Sequence, residues 1–172
     1  MNTIEIINEI TIIDNNEYLL SKIKVDDITL VDFEYYALNF KELINSIQGS
    51  GKYLILTCHC GVAECAGIYK LVKVKHSKKE VKWYFIDPYP LNGMSYTFNK
   101  DLYIKAIKSG FINGKNLFDL TISKGKRHSI YPGYYEQSGE KYFYTVPMGD
   151  NYLKDKECLN NLNNLTQGIL EN

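Results

Sequence analysis

The 172-residue sequence contains one arginine, one tryptophan and four prolines. It has no apolar run approaching the roughly 18 residues that a membrane-spanning helix needs. The segment from Met1 to Glu5 carries no basic residue, so we expect no signal peptide. We therefore expect a cytoplasmic protein, in which thiols stay reduced and structural disulfides are rare. The sequence also lacks a phosphate-binding loop, a dinucleotide-binding glycine turn and an H-E-x-x-H helix, so it predicts no enzyme.

Tyrosine is abundant instead, and charge is unevenly distributed. There are fifteen tyrosines against seven phenylalanines, and tyrosine suits surfaces where an apolar ring meets a partner or water. Residues 1–50 carry nine acidic residues and three lysines, whereas residues 51–130 carry fourteen basic residues and five acidic ones. Residues 131–172 add six acidic residues and three lysines, so the chain is neutral overall. If these segments form separate faces, either face could steer a charged partner.

Two helices are marked by residues suited to cap them. Asp32 precedes an amphipathic stretch over residues 33–48 and is a good N-cap. Asn99 precedes a second amphipathic stretch over residues 100–109, in which Leu102, Tyr103, Ala106 and Ile107 form the predicted apolar face. Gly110 follows that stretch and predicts its end, because glycine commonly terminates helices.

The remaining pattern predicts strands and one further helix. Alternating apolar residues indicate strands through the first thirty residues, with a corner at Asp26-Asp27. Further strands are predicted near residues 53–58, 68–75, 81–86, 96–98 and 140–146, and a third helix over residues 151–170. We therefore predict one α+β domain over residues 1–172, with a mainly antiparallel sheet and two or three helices.

Three of the four cysteines lie within eight residues, at Cys58, Cys60 and Cys65. Three thiolates on a turn could bind zinc with a fourth ligand, although the spacing differs from the usual C-x-x-C knuckle. One thiol could instead be a reactive nucleophile if a nearby cation lowered its pKa. We favour a tight turn whose buried thiols pack as small apolar groups, so no cofactor is predicted and zinc is the alternative. The available fourth ligands are His59, His76, His128 and Cys158.

The run from Leu56 to Cys65 resembles the L-T-C-x-C-G-x-x-x-C signature of a widespread family of small uncharacterised bacterial proteins. The resemblance extends over about residues 52–110 and implies a shared fold without a defined activity. Many small bacterial proteins of this size neutralise a partner toxin, so the resemblance suggests an immunity protein. The other matching positions are Val81-Lys82-Trp83, Pro88, and an F-x-x-x-x-Y-x-x-A-L element read from Phe98, Tyr103, Ala106 and Ile107, with isoleucine in place of leucine.

We therefore predict a non-enzymatic protein-binding module, an immunity protein that blocks a cognate toxin domain. Because many toxin nucleases are basic, the acidic first third of the chain would supply the contact. Nucleic acid ranks below a protein partner: residues 124–135 place basic residues beside tyrosines, but the whole chain is neutral and nearly free of arginine. The predicted partner-binding residues are Asp26, Asp27, Asp32 and Glu34.

Overall fold

The computed structural model describes residues 1–13, 16–30, 37–57, 68–87, 91–123, 129–130, 135–137 and 140–142. These residues form two helices and two main antiparallel sheets, which confirms the predicted α+β class. The elements are β1 (Ile4–Ile13), β2 (Asn16–Val25), β3 (Ile28–Thr29), β4 (Ala37–Leu38), α1 (Phe40–Asn45), β5 (Gly51–Tyr53), β6 (Leu56–Thr57), β7 (Val72–His76), β8 (Glu80–Tyr84), β9 (Ser95–Asn99), α2 (Lys100–Ser123), β10 (Ser129–Ile130), β11 (Tyr135–Gln137) and β12 (Glu140–Tyr142).

The first sheet is built on the long hairpin of β1 and β2. The two strands pair antiparallel along their full length, while β3 pairs antiparallel and β10 parallel with β2. The turn between β2 and β3 consists of Asp26 and Asp27, whose φ angles are 49° and 66°. Two successive positive φ angles define a two-residue hairpin turn whose twist matches that of the flanking strands. The predicted corner at these two residues is thus confirmed.

The second sheet has the strand order β5-β7-β8-β9, and every neighbouring pair is antiparallel. It meets the first sheet where Asn2 lies parallel to β9. The Asn2 amide donates to the Thr97 carbonyl at 2.6 Å, and the Thr97 amide donates to Asn2 Oδ1 at 2.8 Å. The sheets therefore share one core, in which Trp83 makes edge contacts with Phe98 and Tyr103 at centroid distances of 5.2 and 5.7 Å.

Helix α2 begins as predicted and ends much later. Asn99 Oδ1 accepts hydrogen bonds from the Asp101 and Leu102 amides at 3.0 and 3.1 Å, which confirms the N-cap. The helix continues through Gly110 to Ser123, so the predicted end was wrong. The glycine serves close packing instead, because a Cβ at Gly110 would overlap the side chain of Ile6 on β1. The exposed position of Leu102 also corrects the predicted apolar face.

Helix α1 is shorter than predicted and starts later. It covers Phe40–Asn45, and the N-cap is Asn39, whose side chain accepts from the Glu42 amide at 3.2 Å. The two residues before Asn39 belong to β4, which pairs with β6. One continuous helix over residues 33–48 is therefore wrong, because strand pairing takes residues that helical periodicity had claimed. The predicted cap, Asp32, lies outside the described residues. The predicted third helix over residues 151–170 lies outside the described residues.

Candidate functional site

The structure describes two of the four predicted acidic contact residues. Asp26 and Asp27 form the turn after β2, whereas Asp32 and Glu34 lie outside the described residues. The Asp26 carboxylate is engaged within the chain: it accepts from Asn2 Nδ2 at 2.6 Å and from the Thr3 amide at 2.7 Å. These bonds stabilise the ionised form and lower the pKa of Asp26. This carboxylate therefore fastens the start of the chain to the turn.

Asp27 is the more available of the two turn residues. Its carboxylate is exposed and lies 3.8 Å from Lys24 Nζ, in a surface ion pair of the kind that contributes little to stability. Lys24 also lies 3.9 Å from Glu5, so positive charge accompanies the acidic turn. Of the predicted acidic contact, the structure therefore describes two carboxylates. That of Asp26 is hydrogen-bonded within the fold, and that of Asp27 lies near the positive charge of Lys24.

The cysteine cluster, Cys58, Cys60 and Cys65, lies outside the described residues, as do His59, His128 and Cys158. Among the residues that are described, no three His, Cys, Asp or Glu side chains form a group suited to a metal ion. His76 is the one predicted fourth ligand that can be placed. Its Nε2 donates to the Ser46 carbonyl at 2.8 Å, and burial lowers its pKa. The described residues therefore do not test the prediction of no cofactor or its alternative, zinc bound at the cysteine cluster.

A concentration of charge that the sequence analysis did not single out lies on the outer face of the second sheet. Lys73 and Lys75 on β7 and Lys82 on β8 alternate with buried residues, so their side chains point away from the core. Glu80 shares this face of β8 with Lys82. The strand register then places Lys52 opposite Lys73 and Lys75 opposite Lys82. We call this group of four the lysine face: Lys52, Lys73, Lys75 and Lys82.

An apolar patch continues the lysine face at one end of the sheet. Leu71 and Ile86 are each 38% exposed, and extending the β7–β8 register by two residues beyond Lys73 and Tyr84 places them opposite each other. Tyr69 is 73% exposed, and its backbone amide donates to Asp87 Oδ2 at 3.2 Å, which ties the two chain segments together. We call Tyr69, Leu71 and Ile86 the apolar end; adjacent exposed apolar side chains are typical of interaction sites.

A cleft of about 440 Å³ lies between the start of β1, the end of β9 and α2. Three polar side chains in its wall already have partners in the fold: Asn2 bonds Asp26, Asn99 caps α2, and Glu5 lies near Lys24. Leu102, which is 62% exposed, lies at its edge. The wall of the cleft also includes the polar residues Lys105, Ser109 and Asn113 of α2.

Comparisons with known proteins add no relative: no protein-family model, curated protein or solved structure matches the chain. The family resemblance therefore remains a prediction. Five of the positions on which it rests are nearly or fully buried, so core packing accounts for residue types at those positions. They are Val81, Trp83, Phe98, Tyr103 and Ile107. Among the helices that the structure describes, none has the length and apolarity to cross a membrane.

Part of the lysine face was visible in the sequence. The runs Val72-Lys73-Val74-Lys75 and Val81-Lys82-Trp83 show the period of two that separates the faces of a strand. What the sequence could not supply was the register, which decides whether lysines on neighbouring strands face each other or are offset. The register also aligns Lys52 with this group, although it precedes β7 by some twenty residues along the chain.

Proposed function

We propose that this chain is a non-enzymatic protein-binding module that acts as a cytoplasmic immunity protein and neutralises a bacterial toxin domain. The observation that carries the proposal is the apolar end. Leu71, Ile86 and Tyr69 present apolar surface where the inner strands β7 and β8 of the second sheet meet their neighbouring loops. Burial of such surface is the main favourable term in protein association. The sequence resemblance supports the immunity role, and the geometry supports binding.

The proposal moves the contact away from the acidic turn. Asp26 already binds Asn2 and Thr3, so recruiting it to a partner would break bonds that hold the start of the chain. The residues of the apolar end do not belong to the buried core, although Leu71 and Ile86, at 38% exposure, are each more than half covered by the fold. A partner that covers the apolar end gains buried apolar area without disturbing the fold.

The test is affinity capture with the tagged protein from the bacterium that encodes it, followed by identification of the captured protein. Wild type is compared with Leu71→Ser/Ile86→Ser, which removes the apolar end, and with Leu102→Ser, an exposed leucine on α2. Leu102→Ser should change stability by no more than about 0.5 kcal/mol, as is typical of exposed sites. Because Leu71 and Ile86 are each more than half covered, urea unfolding must show that the double variant remains folded before its capture is compared. We expect one partner to be captured by wild type and Leu102→Ser and lost with the double variant.

The immunity role is then tested in a heterologous host. Expression of the captured partner alone should stop growth, and co-expression of wild type, but not of Leu71→Ser/Ile86→Ser, should restore it. A harmless partner would reject the immunity role, and capture that ignores the double substitution would reject the apolar end as the contact.

A further inference from the structure

We propose that the partner presents an acidic protein surface, and that the lysine face recognises it. This inference rests on the proposed function and names the chemistry of the same contact. The lysine face and the apolar end lie side by side on the outer side of the second sheet, since Lys73 and Leu71 belong to one chain segment and alternate with buried Val72. One partner can therefore cover both.

The arrangement of the lysines favours an anionic partner because it opposes like charges across neighbouring strands. Lys52 lies opposite Lys73, and Lys75 opposite Lys82, and like charges directly opposite each other destabilise a sheet. In the part of the chain that the structure describes, Lys82 pairs with Glu80 at 3.5 Å, while Lys52 and Lys73 have no ion pair. Carboxylates of a partner placed between the opposed ammonium groups would relieve this repulsion.

Two observations favour an acidic protein over a nucleic acid. Single strands are held by bases stacking on open aromatic rings. The ring among the lysines is Tyr84, and Lys75 Nζ lies 5.6 Å from its centroid, where it occupies a position that a stacking base would need. The exposed ring of Tyr69 lies at the apolar end, so a strand stacked on it would not be held between the opposed lysines. The apolar end, by contrast, resembles the apolar centre of a protein interface, and the lysines resemble its charged rim.

The division of roles predicts how binding responds to charge. Rim charges act mainly on the rate of association, whereas the buried apolar centre determines how long the complex lasts. Reversing the lysines should therefore slow association and weaken its dependence on salt. Removing the apolar end should accelerate dissociation instead.

The experiment uses the full chain with two probes of equal net charge, poly-L-glutamate and single-stranded oligothymidylate, titrated while backbone amide resonances are recorded. The test variant is Lys73→Glu/Lys75→Glu, which converts opposed lysines into Lys–Glu pairs across the strands and so preserves the sheet. The matched control is Lys105→Glu/Lys108→Glu on α2, which changes the net charge equally. Far-ultraviolet circular dichroism checks that both variants remain folded.

We expect poly-L-glutamate to shift the resonances of β7 and β8, with an affinity that falls steeply from about 20 mM to about 200 mM salt. The test variant should weaken this binding on the order of tenfold, and the control much less. Equal weakening by both variants would show that binding depends on net charge and not on the position of the lysines, and it would overturn the inference. Tighter binding of oligothymidylate on the same strands would identify a nucleic-acid surface and overturn it as well.

The two proposals can fail separately. If capture depends on Leu71 and Ile86 while the captured partner associates at the same rate with wild type and with Lys73→Glu/Lys75→Glu, the acidic surface is rejected and the binding module stands. If poly-L-glutamate titrates the lysine face as expected but no partner is captured, the immunity role fails and the anion-binding face stands.

Discussion

Removal of one buried hydroxyl should destabilise the protein through a hydrogen-bond chain that joins three elements. Trp83 Nε1 on β8 donates to the Tyr103 hydroxyl on α2 at 3.1 Å, and that hydroxyl lies 2.5 Å from Ser46 Oγ, at the end of α1. Ser46 Oγ donates its one hydrogen to the Leu43 carbonyl, so Tyr103 must be the donor to Ser46. Every hydrogen in the chain thus has one acceptor.

The perturbation is Tyr103→Phe, which deletes the central member and keeps the ring. It leaves the indole N–H of fully buried Trp83 without a partner, and an unsatisfied buried donor costs about 1–3 kcal/mol. A central value of about 2 kcal/mol lowers Tm by about 4–8 °C in a chain of this length. Burial raises the pKa of Tyr103, so the hydroxyl remains a donor at neutral pH.

The assay is equilibrium unfolding in urea, monitored by tryptophan fluorescence. Trp83 is the sole tryptophan of the protein and is itself a member of the hydrogen-bond chain. The matched control is Tyr96→Phe, which removes a hydroxyl whose one hydrogen bond among the described residues is to the Met94 sulfur at 3.7 Å. The control should change the free energy of unfolding by no more than about 0.5 kcal/mol. Equal effects of the two substitutions would refute the reasoning, because they would show that water or another group satisfies Trp83.

Three further predictions concern a helix contact, a histidine and the cysteines. Gly110→Ala should lower the free energy of unfolding by roughly 1 kcal/mol, because the clash with Ile6, typically about 1–3 kcal/mol, outweighs a gain in helix propensity of about 1 kcal/mol. The control Ser109→Ala, at an exposed position of the same helix, should not destabilise the protein, and urea unfolding compares the two variants. Burial, aided by the charge of Lys100, lowers the pKa of His76 below its ordinary 6.5 despite the Ser46 bond, so the unfolded chain binds this proton more readily. The histidine's contribution is then complete above pH 6.5 and lost as pH falls toward the folded-state pKa, and His76→Gln should flatten this part of the stability profile between about pH 5 and 8. We expect purified protein to hold no stoichiometric zinc and to react slowly with alkylating agents, whereas one zinc per chain by elemental analysis would establish a metal site at Cys58, Cys60 and Cys65.

The sequence correctly predicted features for which the local residue pattern allows one structural role. Asn99 caps α2 because its side chain can accept from two free amides at the start of the helix. Trp83 lies in the core because it alternates with Val81 and Phe85 on one strand face. In both cases the sequence carries the whole physical reason, so the prediction succeeded.

The predictions were wrong where a residue type can serve two structural roles and only a distant contact decides between them. Glycine ends a helix or lets another chain segment approach closely, and only the position of Ile6 shows which role Gly110 has. Asp32 and Asn39 are both good N-caps, and only the pairing of β4 with β6 decides between them. The lysine face depends in the same way on distant pairing, because strand register brings Lys52 beside Lys73.

The alternation that places lysines outward should also allow the proposed binding to be tested separately from stability. On β7, each lysine is flanked by a buried valine, so the side chains that hold the sheet and those that face solvent occupy alternate positions of one strand. A substitution at Lys73 or Lys75 therefore changes the charge presented to a partner without creating a cavity, whereas one at Val72 or Val74 removes core volume and leaves the charge intact. Loss of binding with unchanged unfolding at the lysine positions would thus report recognition alone. Loss of both at the lysine positions would mean that the outer face helps to hold the sheet together, contrary to its like-charged pairs.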